Sequence, residues 1–170
     1  MTKFLTKAAL AATLATGLIA APALAANSDA KPFTATAKIV KPLTLTKVTD
    51  LDFGTITMLP ALSSQTVSVN PDNTTSCGGA NLSCSFPAQA AASFTIAGTG
   101  NQSLTVDLGT PPTELSDGLG NVVSFTVDAP ASTALVDGVG SFGVGGDIVV
   151  ASSTADGTYT ADLEVTVSYN

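Results

Sequence analysis

The chain has 170 residues, with thirteen acidic side chains against six basic ones and no histidine. Without histidine there is no Ser-His-Asp triad and no His-ligated zinc. With so few cations the chain cannot neutralise a run of phosphates, which speaks against nucleic acid and against an anionic membrane surface as partners.

Met1 to Ala25 have the layout of a cleaved secretory signal, a helix that belongs to targeting and not to the fold. Lys3 and Lys7 form the positive end, a run of small and apolar residues extends from Ala8 to Ala21, and Ala23-Leu24-Ala25 supplies a small-x-small cleavage site. The apolar run is too short for a transmembrane anchor, so no span is expected in the mature chain. What remains is Ala26 to Asn170, one domain's worth of chain and enough for a core. Four lysines are left, Lys31, Lys38, Lys41 and Lys47, against thirteen acids, for a mature charge of −9. Beyond Lys47 the body carries no positive side chain at all.

From Phe33 to Val40 apolar and polar residues alternate, and the pattern resumes through Leu43 and Leu45 to Asp50-Leu51-Asp52-Phe53-Gly54-Thr55-Ile56. Alternation is the signature of strands with one buried face, so two or three short strands are expected end to end. A sheet-competent segment just after an export signal needs a sheet to join, and the expected one belongs to another copy of the protein. The expected layout is a signal over 1–25, an extension or donor strand over 26–40, and a β domain over 41–170.

The body reads as all-β: rich in Thr, Val, Ser and Gly, with short alternations between turn clusters. Val67 and Val69 end at Asn70-Pro71-Asp72-Asn73; Phe94 and Ile96 end at Gly98; Leu104, Val106 and Leu108 close at Gly109; Val123, Phe125 and Val127 stop at Pro130. Phe142 and Val144 precede Gly145-Gly146, with Ile148 and Val150 after it; these glycines read as turns or tight strand crossings. Such punctuation suggests a sandwich or barrel rather than βαβ units. The clearest strand is the last, with Tyr159, Ala161, Leu163, Val165, Val167 and Tyr169 on a dry face and Thr160, Asp162, Glu164, Thr166 and Ser168 on a wet one. A long strand of this kind is an aggregation hazard unless something covers it.

Cys77 and Cys84 form an even pair in an exported chain, which reads as a disulfide pinning a loop between two strands. The spacing is not that of a redox motif, and a metal site lacks partners. Asp50 and Asp52, with Asp72 and Asn73, could offer oxygen ligands to calcium, but no loop shows the full ligand rhythm, and acids flanking a turn are the favoured reading. No catalytic constellation emerges and no cofactor is expected.

Taken in order, several pieces resemble bacterial fimbrial subunits of the archaic chaperone–usher class, which includes spore-coat-U-like proteins and Mat/Ecp-type major pilins, together with a related uncharacterised family of secreted bacterial domains. They are Phe33 to Val40, Leu51 to Ile56, the small cysteine loop, and Gly157-Thr158-Tyr159 leading to Val165 through Asn170. One departure is that many archaic subunits carry a cysteine just after the N-terminal strand, where Pro42 and Leu43 stand here. Disulfide topology is therefore not carried over. The resemblance implies an immunoglobulin-like, pilin-like sandwich lacking one strand, completed by the donor strand of the next subunit through Phe33, Ala35, Ala37 and Ile39. It also implies that the strand ending at Tyr169 borders the open groove and is held first by a periplasmic chaperone. An outer-membrane usher would then pass the subunit to the cell surface. A monomeric, adhesin-like binding module with a self-completed sandwich is the other reading.

Overall fold

The computed structural model describes residues 29–59, 63–85 and 89–170. The signal expected over Met1 to Ala25 lies outside them. The chain divides into two compact units, Met1–Ala37 and Lys38–Asn170. In the first, the described residues 29–37 belong to no strand. The second is all-β, and among the described residues no helix is long and apolar enough to cross a membrane.

Among the described residues twelve strands run in chain order: β1 (Thr44–Thr49), β2 (Thr55–Met58), β3 (Gln65–Val69), β4 (Thr75–Cys77), β5 (Leu82–Ser85), β6 (Ala92–Ala97), β7 (Ser103–Asp107), β8 (Glu114–Ser116), β9 (Val122–Asp128), β10 (Ser132–Ala134), β11 (Val139–Val150) and β12 (Thr166–Tyr169). A seven-stranded sheet follows the order β1-β6-β11-β3-β4, with β9 on β11 and β8 on β9. Two smaller sheets, β10-β7-β12 and β2-β5, complete the architecture.

The period of two in the sequence becomes the core. In β7, Leu104 and Val106 are buried while Ser103, Thr105 and Asp107 are exposed; in β9, Val123 and Phe125 go inward in the same way. One apolar cluster joins Ala92, Ile96, Phe142 and Val144 of the large sheet to Leu104 and Val106 of the three-stranded one. A second joins Val67, Leu115, Phe125, Ile148 and Val150 of the large sheet to Leu82 of the two-stranded one, with Ile56 and Met58 packed against it. The large sheet is thus faced by both smaller ones, a β-sandwich-like arrangement whose second layer comes in two pieces. Each fully buried aliphatic or Phe side chain contributes about 1.5–3 kcal/mol by leaving water.

The twelve-residue β11 spans the large sheet. Its first half pairs with β6 (Val139↔Ala97 to Val144↔Ala92), and its second half has β3 on one flank and β9 on the other. Gly145 and Gly146 therefore lie inside a continuous strand and not in a turn. They serve close approach: a Cβ on Gly146 would meet Thr126 O at 2.6 Å and the Phe125 ring at 2.7 Å.

Cys77 and Cys84 are bonded, with Cα atoms 5.9 Å apart, tying β4 to β5. Closing this short loop constrains the unfolded chain by about 2.5 kcal/mol on the loop-entropy scale. Replacing both cysteines with serine is expected to lower the unfolding free energy by about that amount in a urea titration. A loss below roughly 0.5 kcal/mol would mean the loop is held as firmly without the bond.

Candidate functional site

The second layer is interrupted between β2 and the chain segment that ends in β12. A groove of about 700 Å³ opens there. Phe53, Ile56 and Met58 form one wall, Tyr159, Ala161 and Leu163 the other; Leu115, Val123, Phe125, Ile148 and Val150 form an apolar floor. The floor is firm, because Phe125 holds Phe53 edge-on at 6.1 Å and its own N–H donates to Thr113 O at 2.8 Å. At the rim, Gly54 N–H donates to Asp52 Oδ1 at 2.7 Å, and Tyr159 Oη donates to Ala155 O at 2.8 Å.

Each wall presents a backbone edge with no partner among the described residues. In an antiparallel ladder hydrogen-bonded pairs alternate along the strand. The bond from Leu59 N to Asn81 O, with the register Thr57↔Ser83 and Thr55↔Ser85, turns the odd-numbered backbone groups of β2 toward β5. The N–H and C=O groups of Ile56 and Met58 then face the other way. On the opposite wall, Thr160 exchanges both backbone bonds with Ser116. Asn170 N donates to Ser103 O, with Ser168↔Thr105 and Thr166↔Asp107 in register. Thr160, Thr166, Ser168 and Asn170 thus turn their backbone toward β8 and β7, and the odd-numbered residues beside them turn theirs to an edge with no backbone partner among the described residues.

The same odd-numbered residues are those of the expected dry face. Tyr159 and Ala161 pack on the Phe125 cluster, and Val165, Val167 and Tyr169 on the Leu104 cluster. Leu163 departs from expectation at 38% exposure, since it overhangs the groove and has no wall to meet. The strand is also less regular than its pattern: ladder pairing covers only Thr166–Tyr169, with an isolated bridge at Thr160. Between them, Asp162 and Glu164 flank a cleft whose far side includes Pro111 and Pro112, which have no N–H to offer a ladder.

Tyr169 closes the far end. Its hydroxyl accepts from Thr99 N–H and donates to Lys41 O, both at 2.8 Å, while Lys41 N–H donates to Thr99 Oγ1 at 2.6 Å. This clasp fixes the point at which the N-terminal segment leaves the domain. Beyond it, Phe33, Ala35, Ala37 and Ile39 lie in no strand and all are exposed, Phe33 at 92% and Ile39 at 90%.

Residues 43–169 match the family model DUF4402, described as a domain of unknown function. The chain belongs to this family. The match begins two residues after Lys41, spans both walls and the floor of the groove, and ends at Tyr169. No curated protein and no solved structure matches the chain.

The acids weighed as calcium ligands are occupied elsewhere in the DUF4402 domain. Asp50 pairs with Lys47 at 2.5 Å. Asp72 accepts from the Thr74 hydroxyl and N–H, which hold its carboxyl below the usual range, and Asn73 Oδ1 accepts from Ala91 N–H at 2.8 Å. Asp117 is held low in the same way by the Asn121 amide and Leu119 N–H. Among the described residues no group of three or more His, Cys, Asp or Glu side chains is placed to hold a metal. The floor residues Val123, Phe125, Ile148 and Val150 are legible in the sequence as core but not as site, and Leu115, in the three-residue β8, is legible as neither. Their second role arises only because the layer above them is incomplete.

Proposed function

We propose that this DUF4402 chain is a structural, non-catalytic subunit of a surface fibre, joined head to tail by donor-strand complementation. Residues 33–40 of one copy enter the groove of the next and complete an immunoglobulin-like sandwich. The observation that carries the reading is one apolar groove flanked by two edges with no backbone partner among the described residues, in a chain whose alternating segment 33–40 lies in no strand. β-Strand addition uses both parts of such a site: edge N–H and C=O groups give affinity, and alternating pockets give register. Phe33 and Ile39 would each contribute about 1.5–3 kcal/mol on burial, and the alanines less. Export is part of the proposal, with a periplasmic chaperone covering the Tyr159–Tyr169 edge, an usher at the outer membrane and a role in adhesion or biofilm. A disulfide suits that oxidising route.

The test is the assembly state of the mature chain. Phe33→Asp or Ile39→Asp is expected to abolish fibres and gel ladders with little change in melting temperature, whereas Thr36→Asp should leave assembly nearly intact. If the aspartate variants instead melt lower and the parent protein is monomeric, the segment completes its own sandwich and the chain is a monomeric binding module. If they change neither property, the fibre reading fails.

A further inference from the structure

The charge distribution bears on what the groove accepts. Every cation of the mature chain lies at or before Lys47, and the body after it holds twelve acids and no base. Lys47 is engaged with Asp50, and Lys31 lies 3.0 Å from Asp29. Lys38 and Lys41 make no ion pair among the described residues. Both are exposed, and Lys38 holds one of the polar positions of the alternating segment, with Thr34 and Thr36. Acids gather around the C-terminal strand. Asp52 and Asp156 line the apolar groove, and Asp107, Asp162 and Glu164 line the cleft on the strand's other side. Asp162 and Glu164 are exposed on the outward face, the row that a strand laid along the free edge would present its Lys38 beside.

We propose that this acidic rim selects the basic N-terminal segment of a second copy, so that assembly is steered electrostatically as well as held by apolar burial. The inference rests on the donor-strand reading and adds to it what recognises the incoming strand. Two bodies with twelve acids and no base after Lys47 repel each other overall, and the Lys31–Lys41 segment brings three of a second copy's four mature lysines to the rim. Attraction between a basic segment and an acidic cleft raises encounter rates by about ten- to a thousandfold at low salt and fades as ions screen it. It also sets polarity, because only a tail-to-body approach is favourable, and such heterologous contacts grow into open filaments. The lysines would act on the rate and direction of joining, while Phe33 and Ile39 act on its permanence.

The experiment follows light scattering from freshly released mature monomer at about 0.02 M and 0.5 M sodium chloride, a range over which screening changes severalfold. The parent chain is expected to assemble about tenfold more slowly at the higher salt. The double variant Lys38→Glu with Lys41→Glu should be about tenfold slower at low salt and nearly indifferent to ionic strength, with an unchanged melting temperature. Adding Asp162→Lys and Glu164→Lys to that variant should restore the low-salt rate, which no loss of folding could do. If the double variant assembles at the parental rate with the parental salt response while Phe33→Asp does not assemble, the rim has no selective role and this inference is overturned. If Phe33→Asp also assembles like the parent, the donor-strand reading falls and takes this inference with it.

Discussion

Replacing Phe125 with alanine is expected to lower the unfolding free energy by about 3–5 kcal/mol, the cost of removing a buried aromatic ring and leaving its cavity. Phe125 is 2% exposed in the middle of β9 and packs with Leu115, Val123, Ile148 and Val150. Its ring also covers Gly146 and holds Phe53 edge-on, so truncation would loosen the floor and one wall of the groove together. For a domain of this length the loss corresponds to a fall in melting temperature of roughly 10–15 °C. Phe53→Ala should cost less, because Phe53 is only partly buried at the rim. A Phe125→Ala melt within a few degrees of the parent would mean that the floor is not the packed cluster described above.

The second large effect is expected at Gly145. A Cβ there would collide with the carbonyl oxygen of Val69 and sit 2.7 Å from Asn70 C and 2.9 Å from Pro71 N. All three are backbone atoms of β3 and its turn, so relief requires moving the Asn70–Pro71 turn off β11. Gly145→Val is expected to cost several kcal/mol, at the upper end of overpacking effects, and to leave little folded protein in a circular dichroism melt. Gly157→Ala is the control: a Cβ there would come no nearer than 3.4 Å to Asp117 Cβ, and its effect should be small. Equal tolerance at both sites would place the β3 turn away from β11.

These two positions show what the residues alone could convey. Val67, Val69, Leu104, Val106, Val123 and Phe125 are buried as the alternation predicts, since period-two patterning is a local property of a half-buried strand. Gly145 and Gly146 prove to be a tight crossing and not a turn, a choice the residues left open for a non-local reason. A glycine pair marks either a turn or a close passage of another backbone, and only the β3 turn lying over β11 decides between them. The long last strand was legible from its side chains, yet its ladder breaks where Pro111 and Pro112 face Asp162 and Glu164 across a cleft, a pairing invisible in the order of residues. The groove was least legible of all. Its walls, Ile56 with Met58 and Ala161 with Leu163, lie about a hundred residues apart in the chain, and alternation shows that a face is apolar without showing what lies over it.

The Tyr169 clasp also decides how a pull on the N-terminal segment would be carried. One hydroxyl joins Lys41 to Thr99, and Tyr169 lies in β12, whose ladder to β7 runs from Thr166↔Asp107 to Tyr169↔Leu104. Tension drawn through residues 33–40 therefore enters at Lys41 and divides at once: through β1 into its ladder with β6, and through the Tyr169 ring into β12. Sharing the load between two sheets spares either ladder from being peeled open one bond at a time. A Tyr169→Phe chain keeps the ring but loses the hydroxyl, and would send the whole load into β1 and the large sheet.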